Sequence, residues 1–150
     1  MDIDYRTWIP GLHALRDALL ASFDDADLQL SVGGANPELR SVLSRWLSLE
    51  RDYRRSLETL HLDWTTTEFD ASTLSQLGKL FRAEDARFGI VDDYDVAELD
   101  REVSRPDLSR SRRDQIQAYV QSVLMMLATV TVYARAAGRD VPPAVQRYVG

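Results

Sequence analysis

The chain has 150 residues, 45% hydrophobic and 28% charged, and carries a net charge of −6 with no cysteine. Length and composition together allow a well-buried core and exclude wholesale disorder. Disulfides, zinc–thiolate sites and thiol nucleophiles are ruled out, and the acidic balance weighs against duplex nucleic acid and toward basic partners.

The acidic start, MDIDYR, leads into no apolar segment with a small-residue cleavage site, so a cytoplasmic protein is expected. A first helix is predicted from Pro10 to Ser22, with Pro10 in its first turn and an apolar stripe of Leu12, Leu15, Leu19 and Phe23. Asp24, Asp25 and Asp27 break the pattern. Leu28–Val32 then alternates like a short strand before Gly33-Gly34.

The second helix has the clearest signals. Asn36 suits the N-cap, Pro37 the first helical position and Glu38 the helix dipole. Leu39, Val42, Leu43, Trp46, Leu49, Tyr53, Leu57 and Leu60 repeat at three- and four-residue steps to about Leu62. A polar loop, Asp63–Ser72, follows; its alternation (Leu62, Trp64, Thr66) offers a partner for Leu28–Val32 in a minor two-stranded ribbon. Asp70 or Ser72 caps a third helix through Leu74, Leu77, Leu80 and Phe81 to near Gly89, and a fourth runs from Val96 to Ser104, where Pro106 stops it.

Ser111 and Asp114 resemble a capping box opening a long helix that ends at Ala137, with Gly138 as its stop. From Val123 to Ala134 this helix carries no charge, and a helix apolar on nearly every side must be wrapped by other structure. Gln121, Ser122 and Arg135 bracket the run, leaving it short of the roughly 20 apolar residues a membrane span needs. Pro142-Pro143 leads into one terminal turn. The expected fold is all-α: residues 1–150 as a compact bundle of about five helices around a long buried C-terminal helix, with room for a minor ribbon.

Several clusters carry possible chemistry. Asp92, Asp93, Asp95 and Glu98 group hard oxygen ligands suited to Mg²⁺, as a metal-dependent phosphohydrolase requires. A solvated turn and helix in which Glu98 pairs with Arg101, and Glu102 with Arg105, is the default account of them. Arg110, Arg112 and Arg113 gather at the start of the long helix, where free N–H groups favour anions, in the manner of an anion- or nucleic-acid-binding regulator. No aromatic residues are interleaved for base stacking, and the adjacent acidic segment offers those arginines partners within the fold.

His13 and Asp17 stand four apart on the first helix and outline a mixed metal site; His61 closes the second helix. No serine has a nucleophile-elbow context. Trp46 falls at core spacing, whereas Trp64, in a polar loop, is the exposed aromatic suited to an interface. The leading expectation is therefore a non-catalytic interaction module (an inhibitor, immunity-type or adaptor protein) without a cofactor. It would take a protein partner, favourably a basic one, and form a homo-oligomer through any uncovered stripe of the long helix.

Overall fold

The long C-terminal helix organises the molecule. In the computed structural model, which describes residues 4–150, it spans Arg112–Ala136 (α5), and the Ser111 hydroxyl accepts a bond from the Asp114 N–H at 3.1 Å. Its Ile116, Tyr119, Val120, Val123, Leu127, Val130 and Ala134 are buried. Helices α1 (Tyr5–Leu20) and α2 (Leu39–Thr59) pack along it, α3 (Leu74–Phe88) lies against α1 and α2, and α6 (Pro143–Val149) covers α5 and α1 near the carboxyl end. Trp46 is fully buried, edge-on to Phe81 at 5.8 Å. The all-α bundle is thus the observed architecture. The acidic start at Met1–Ile3 lies outside the described residues.

Wrapping of α5 is incomplete. Met125 is 71% exposed and Val132 52% exposed, on a face shared with Gln121, Ala128 and Thr129. By length and composition the helix could cross a membrane, yet its inward face forms the centre of the core.

Several element boundaries move. Helix α1 begins at Tyr5, so Pro10 sits inside it; the structure tolerates the missing donor there. Helix α2 begins at Leu39 rather than Pro37, because the Asn36 amide donates to the Gly33 carbonyl oxygen (2.8 Å) instead of capping. Helix α3 takes Thr73 as its N-cap, with Gln76 reaching back to complete a capping box. The expected fourth helix shortens to α4 (Val96–Leu99). Beyond it the chain turns into β1 (Glu102–Ser104), paired antiparallel with β2 (Ser109–Ser111).

A two-stranded ribbon therefore exists, but not between the segments that alternation suggested. Residues Asp25–Gln29 form a 3-10 turn that buries Leu28. The 62–69 segment is extended, yet its partner is mostly a helix. Thr65 donates its N–H and hydroxyl to Asp52 (2.9 and 2.6 Å), Thr67 its N–H to the Ser48 hydroxyl (3.1 Å), and Phe69 its N–H to the Ser44 hydroxyl (3.4 Å). Alternate backbone donors of an extended chain are spaced to meet every fourth residue of a helix, so α2 side chains replace the missing strand. The acidic run before α2 is answered across the fold by Arg139, which bonds Asp27 (2.9 Å) and Asp24 (2.5 Å).

Candidate functional site

The residues with the most chemistry lie in the bundle interior. Helix α1 turns His13 and Arg16 inward, α2 contributes Glu50, α3 contributes Asp85 and α5 contributes Tyr119. Arg16 and Glu50 are fully buried. The Arg16 guanidinium donates to Glu50 Oε2 (2.9 Å), Asp85 Oδ1 (2.9 Å) and Oδ2 (2.6 Å), and Asp17 Oδ1 (2.8 Å), and it lies 4.4 Å over the Phe81 ring. His13 Nδ1 is 3.1 Å from Asp85 Oδ1, and its Nε2 is 2.6 Å from the Tyr119 hydroxyl. Tyr119 stacks on Phe88 at 4.4 Å.

Burial sets the protonation states. It lowers the His13 pKa to about 4; Arg16 pushes the same way, while Asp85 opposes, so the imidazole is neutral at pH 7. Burial also drives Glu50 up to about 8. Asp85 reinforces that rise and Arg16 works against it, leaving the carboxyl mostly protonated at neutral pH. For Arg16, burial is the largest influence and disfavours the charge, but Asp85 and Glu50 more than offset it, so the guanidinium stays charged.

One oxygen stands out. Glu50 Oε1 is buried and has no hydrogen-bond partner. The Trp46 indole one turn earlier favours the ionised carboxylate but falls outside hydrogen-bond geometry, so its N–H is unpaired too. Among the described residues, His13, Glu50 and Asp85 form a group whose ligand atoms all lie within 4.8 Å of one another, near enough for one cation. Arg16 is a single positive charge among three carboxylates, so the centre lacks cationic charge when Glu50 is ionised. A donor set of one neutral imidazole and two carboxylates, with an orphaned oxygen and a charge deficit, fits a divalent metal. A cleft of about 350 Å³, lined by Tyr5, Ile9, Pro10, Ala14, Phe88 and Val91 with His13, Asp17, Asp85 and Asp92, reaches this centre from solvent.

The sequence-derived candidates are arranged differently. Asp92 and Asp93 are exposed in a 3-10 turn, and the Asp95 carboxylate caps α4 by accepting the Glu98 N–H at 2.8 Å. Glu98 accepts from Arg101 and from Arg112, which hold its carboxyl below the usual range. These four carboxylates are not brought together around one point. The arginines do not converge either. Arg112 is buried over the Tyr94 ring at 4.1 Å, Arg113 pairs with Asp100 (3.4 Å), and Arg110 is exposed on β2. Packing of α4 on the start of α5 turns Arg112 inward against Glu98, away from Arg110 and Arg113. Trp64 is 49% exposed, edge-on to Tyr53, and lines a groove of about 710 Å³ between α2 and the extended segment.

Sequence reasoning reached His13 and Asp17 but missed Arg16, Glu50, Asp85 and Tyr119. Glu50 falls in a charged run of α2 and Asp85 carries no signal of its own, and only the packing of α1 against α2 and α3 brings them to Arg16. His61 also stands between the Ser104 hydroxyl (3.3 Å) and Asp63 (3.0 Å). All three are exposed, so water-screened groups there lack the desolvation that acyl transfer exploits.

No protein-family model matches the chain, and no curated protein matches it by sequence. Its fold is similar to solved structures. The DinB-like protein YjoA from Bacillus subtilis superposes with a TM-score of 0.77 at 12% identity, over 94% of this chain and 96% of that one. A DinB-like protein from Bacillus cereus gives 0.73 at 13% identity, over 91% and 92%. YfiT from Bacillus subtilis, described as a probable metal-dependent hydrolase with an unusual four-helix bundle topology, gives 0.68 at 15% identity, over 91% and 89%. At these identities the likeness establishes the fold. It also corrects the leading expectation: bundles of this type include a hydrolase-like protein, which fits the metal-dependent alternative and not a non-catalytic interaction module.

Proposed function

We propose that this chain is a metal-dependent hydrolase whose divalent cation is held by His13, Glu50 and Asp85. The observation that carries the reading is the His13–Glu50–Asp85 group, whose ligand atoms lie within 4.8 Å of one another and whose Glu50 keeps a buried oxygen without a partner. The likeness to a bundle described as a probable metal-dependent hydrolase supports it. When bound, the cation would supply Lewis acidity and a lowered water pKa at neutral pH.

The chain's own residues prepare that site. The neutral imidazole has one lone pair, and the Tyr119 hydroxyl, which can donate or accept, suits either tautomer. Without a cation Nδ1–H donates to Asp85; with one bound, Nε2–H would donate to the Tyr119 hydroxyl and free the Nδ1 pair as a ligand. Arg16 fixes the rotamers of Glu50 and Asp85 by binding Glu50 through Oε2 and Asp85 through both oxygens. Asp17 holds Arg16 through Oδ1 and lines the cleft, where its second oxygen can take a proton from an incoming water. We further propose a soluble, cytoplasmic protein that self-associates through the uncovered face of α5.

The test is metal binding. Zn²⁺ or Mn²⁺ at 100 times its Kd should stabilise the protein by about 2.7 kcal/mol. His13→Ala and Asp85→Asn should remove that shift. A melting temperature indifferent to both ions, with no metal retained on elemental analysis, would sink the reading.

A further inference from the structure

The cleft above the buried centre carries information about what it admits. It has about 350 Å³ of space, toward the lower end of the roughly 300–1,000 Å³ of small-molecule sites. Its walls are of two kinds. Ile9, Pro10, Ala14, Phe88 and Val91 give an apolar body, and three carboxylates (Asp17, Asp85 and Asp92) give the charge. No arginine or lysine lines it. Arg16 is buried beneath Asp17 and Asp85 with its donors committed to carboxylates, and Arg6 stands outside, donating to the Asp92 carbonyl oxygen at 3.0 Å.

The Asp92 carboxylate has no partner among the described residues, and Asp17 has one oxygen unengaged. Independently, the buried centre beneath holds an unpaired carboxyl oxygen on Glu50, and there Asp17 and Asp85 share the single Arg16 guanidinium, so carboxylates outnumber cations even with Glu50 protonated. A divalent cation on His13, Glu50 and Asp85 would bring the interior to neutrality and leave Asp92 as the uncompensated charge. An anion entering here finds no side-chain cation in the lining and must pass Asp17, Asp85 and Asp92 with the metal as its one attraction, so a phosphate ester is a poor occupant. A cation finds carboxylates at the rim and the apolar wall for its body.

We propose that the cleft binds a small organic cation, an amine-bearing molecule with an apolar body, as the substrate class of this site. The proposal rests on the hydrolase reading above and narrows it away from phosphate substrates.

Three probes of one shape separate the possibilities: phenethylammonium, neutral phenethyl alcohol and anionic 3-phenylpropionate. Each is titrated by calorimetry into the full chain with and without Zn²⁺, and His13 ring resonances report location. Phenethylammonium should bind about fivefold tighter than the alcohol, weaken with added salt and lose most of that advantage in Asp92→Asn; 3-phenylpropionate should not saturate. Equal affinity for the three probes, or tighter binding of the anion, overturns the substrate class while Zn²⁺ binding keeps the hydrolase reading intact. Binding of the amine to a chain that takes no Zn²⁺ supports the cation cleft and overturns the hydrolase reading instead.

Discussion

Replacing Glu50 by glutamine should change how stability depends on pH, and the direction follows from two buried groups. Glu50 is raised from 4.5 to about 8, so in the metal-free protein it keeps its proton where the unfolded chain has lost it. Between those values the folded state binds more protons, and stability falls as pH rises. His13 does the opposite: lowered from 6.5 to about 4, it leaves the unfolded chain binding the extra proton, so stability rises with pH over that interval. From 4.5 to 6.5 the two slopes cancel. Above 6.5 only Glu50 acts, and about 1.5 pH units at about 1.36 kcal/mol each give a loss of about 2 kcal/mol by pH 8. For a chain of this size that is about 4–8 °C in melting temperature. Melts followed by circular dichroism in EDTA should show this decline in the parent protein and a flat profile in Glu50→Gln between pH 6.5 and 8. Parallel profiles would refute the assignment of Glu50 as a protonated buried acid. Metal should act in the opposite sense, since binding requires the ionised carboxylate, and its stabilising effect should grow as pH rises to 8.

Arg16→Met should cost about 3–5 kcal/mol at pH 7, because it leaves Asp85 and Glu50 without their buried counter-charge; urea titration measures the loss, and a cost below about 1 kcal/mol would contradict the burial described. Asp52→Ala removes the acceptor of both Thr65 bonds, at about 1.5–3 kcal/mol each, and hydrogen exchange should rise at Thr65 and Thr67 with α5 unchanged. If the exposed face of α5 docks on a second copy, light scattering should give a dimer for the parent and a monomer for Met125→Asp; a monomeric parent removes that part of the proposal.

The helices were largely legible because their signals are local. The stripe from Leu39 to Leu57 and the Ser111 cap each lie within one element, and α2 and α5 appear almost where the periodicity puts them. What failed was the partner of an extended segment. Alternation in residues 62–66 identifies an extended chain but carries no mark of what it bonds to. Three α2 side chains, Ser44, Ser48 and Asp52, took the role assigned to a strand. The fourth helix failed for a related reason: Val96–Ser104 has tolerable helical spacing, yet Val103 is better buried as the centre of β1.

The candidate site was less legible, and the reason lies in how charge is read from one strip of chain. Glu50 sits in the run Glu50-Arg51-Asp52-Tyr53-Arg54-Arg55, which looks like a solvated face because five of its six residues are charged. A helix that packs against α5 on one side, α3 on another and the 62–69 segment on a third has little solvated face left. Glu50, Asp52 and Arg54 are buried in three separate environments, paired respectively with Arg16, Thr65 and Glu84. Arg54 meets Glu84 and Glu58, with Arg51 nearby, so that cluster balances within the chain, while Asp52 is a single carboxylate satisfied by the neutral donors of Thr65. The Arg16 cluster does not balance, because Arg16 alone faces Asp17 and Asp85, with Glu50 beside them. A buried ion cluster kept only for stability would be expected to balance its charge, since each unpaired buried carboxylate costs several kcal/mol. Here the excess of carboxylates over cations coincides with an imidazole and a solvent-connected cleft, and that coincidence argues for a cation from outside the chain.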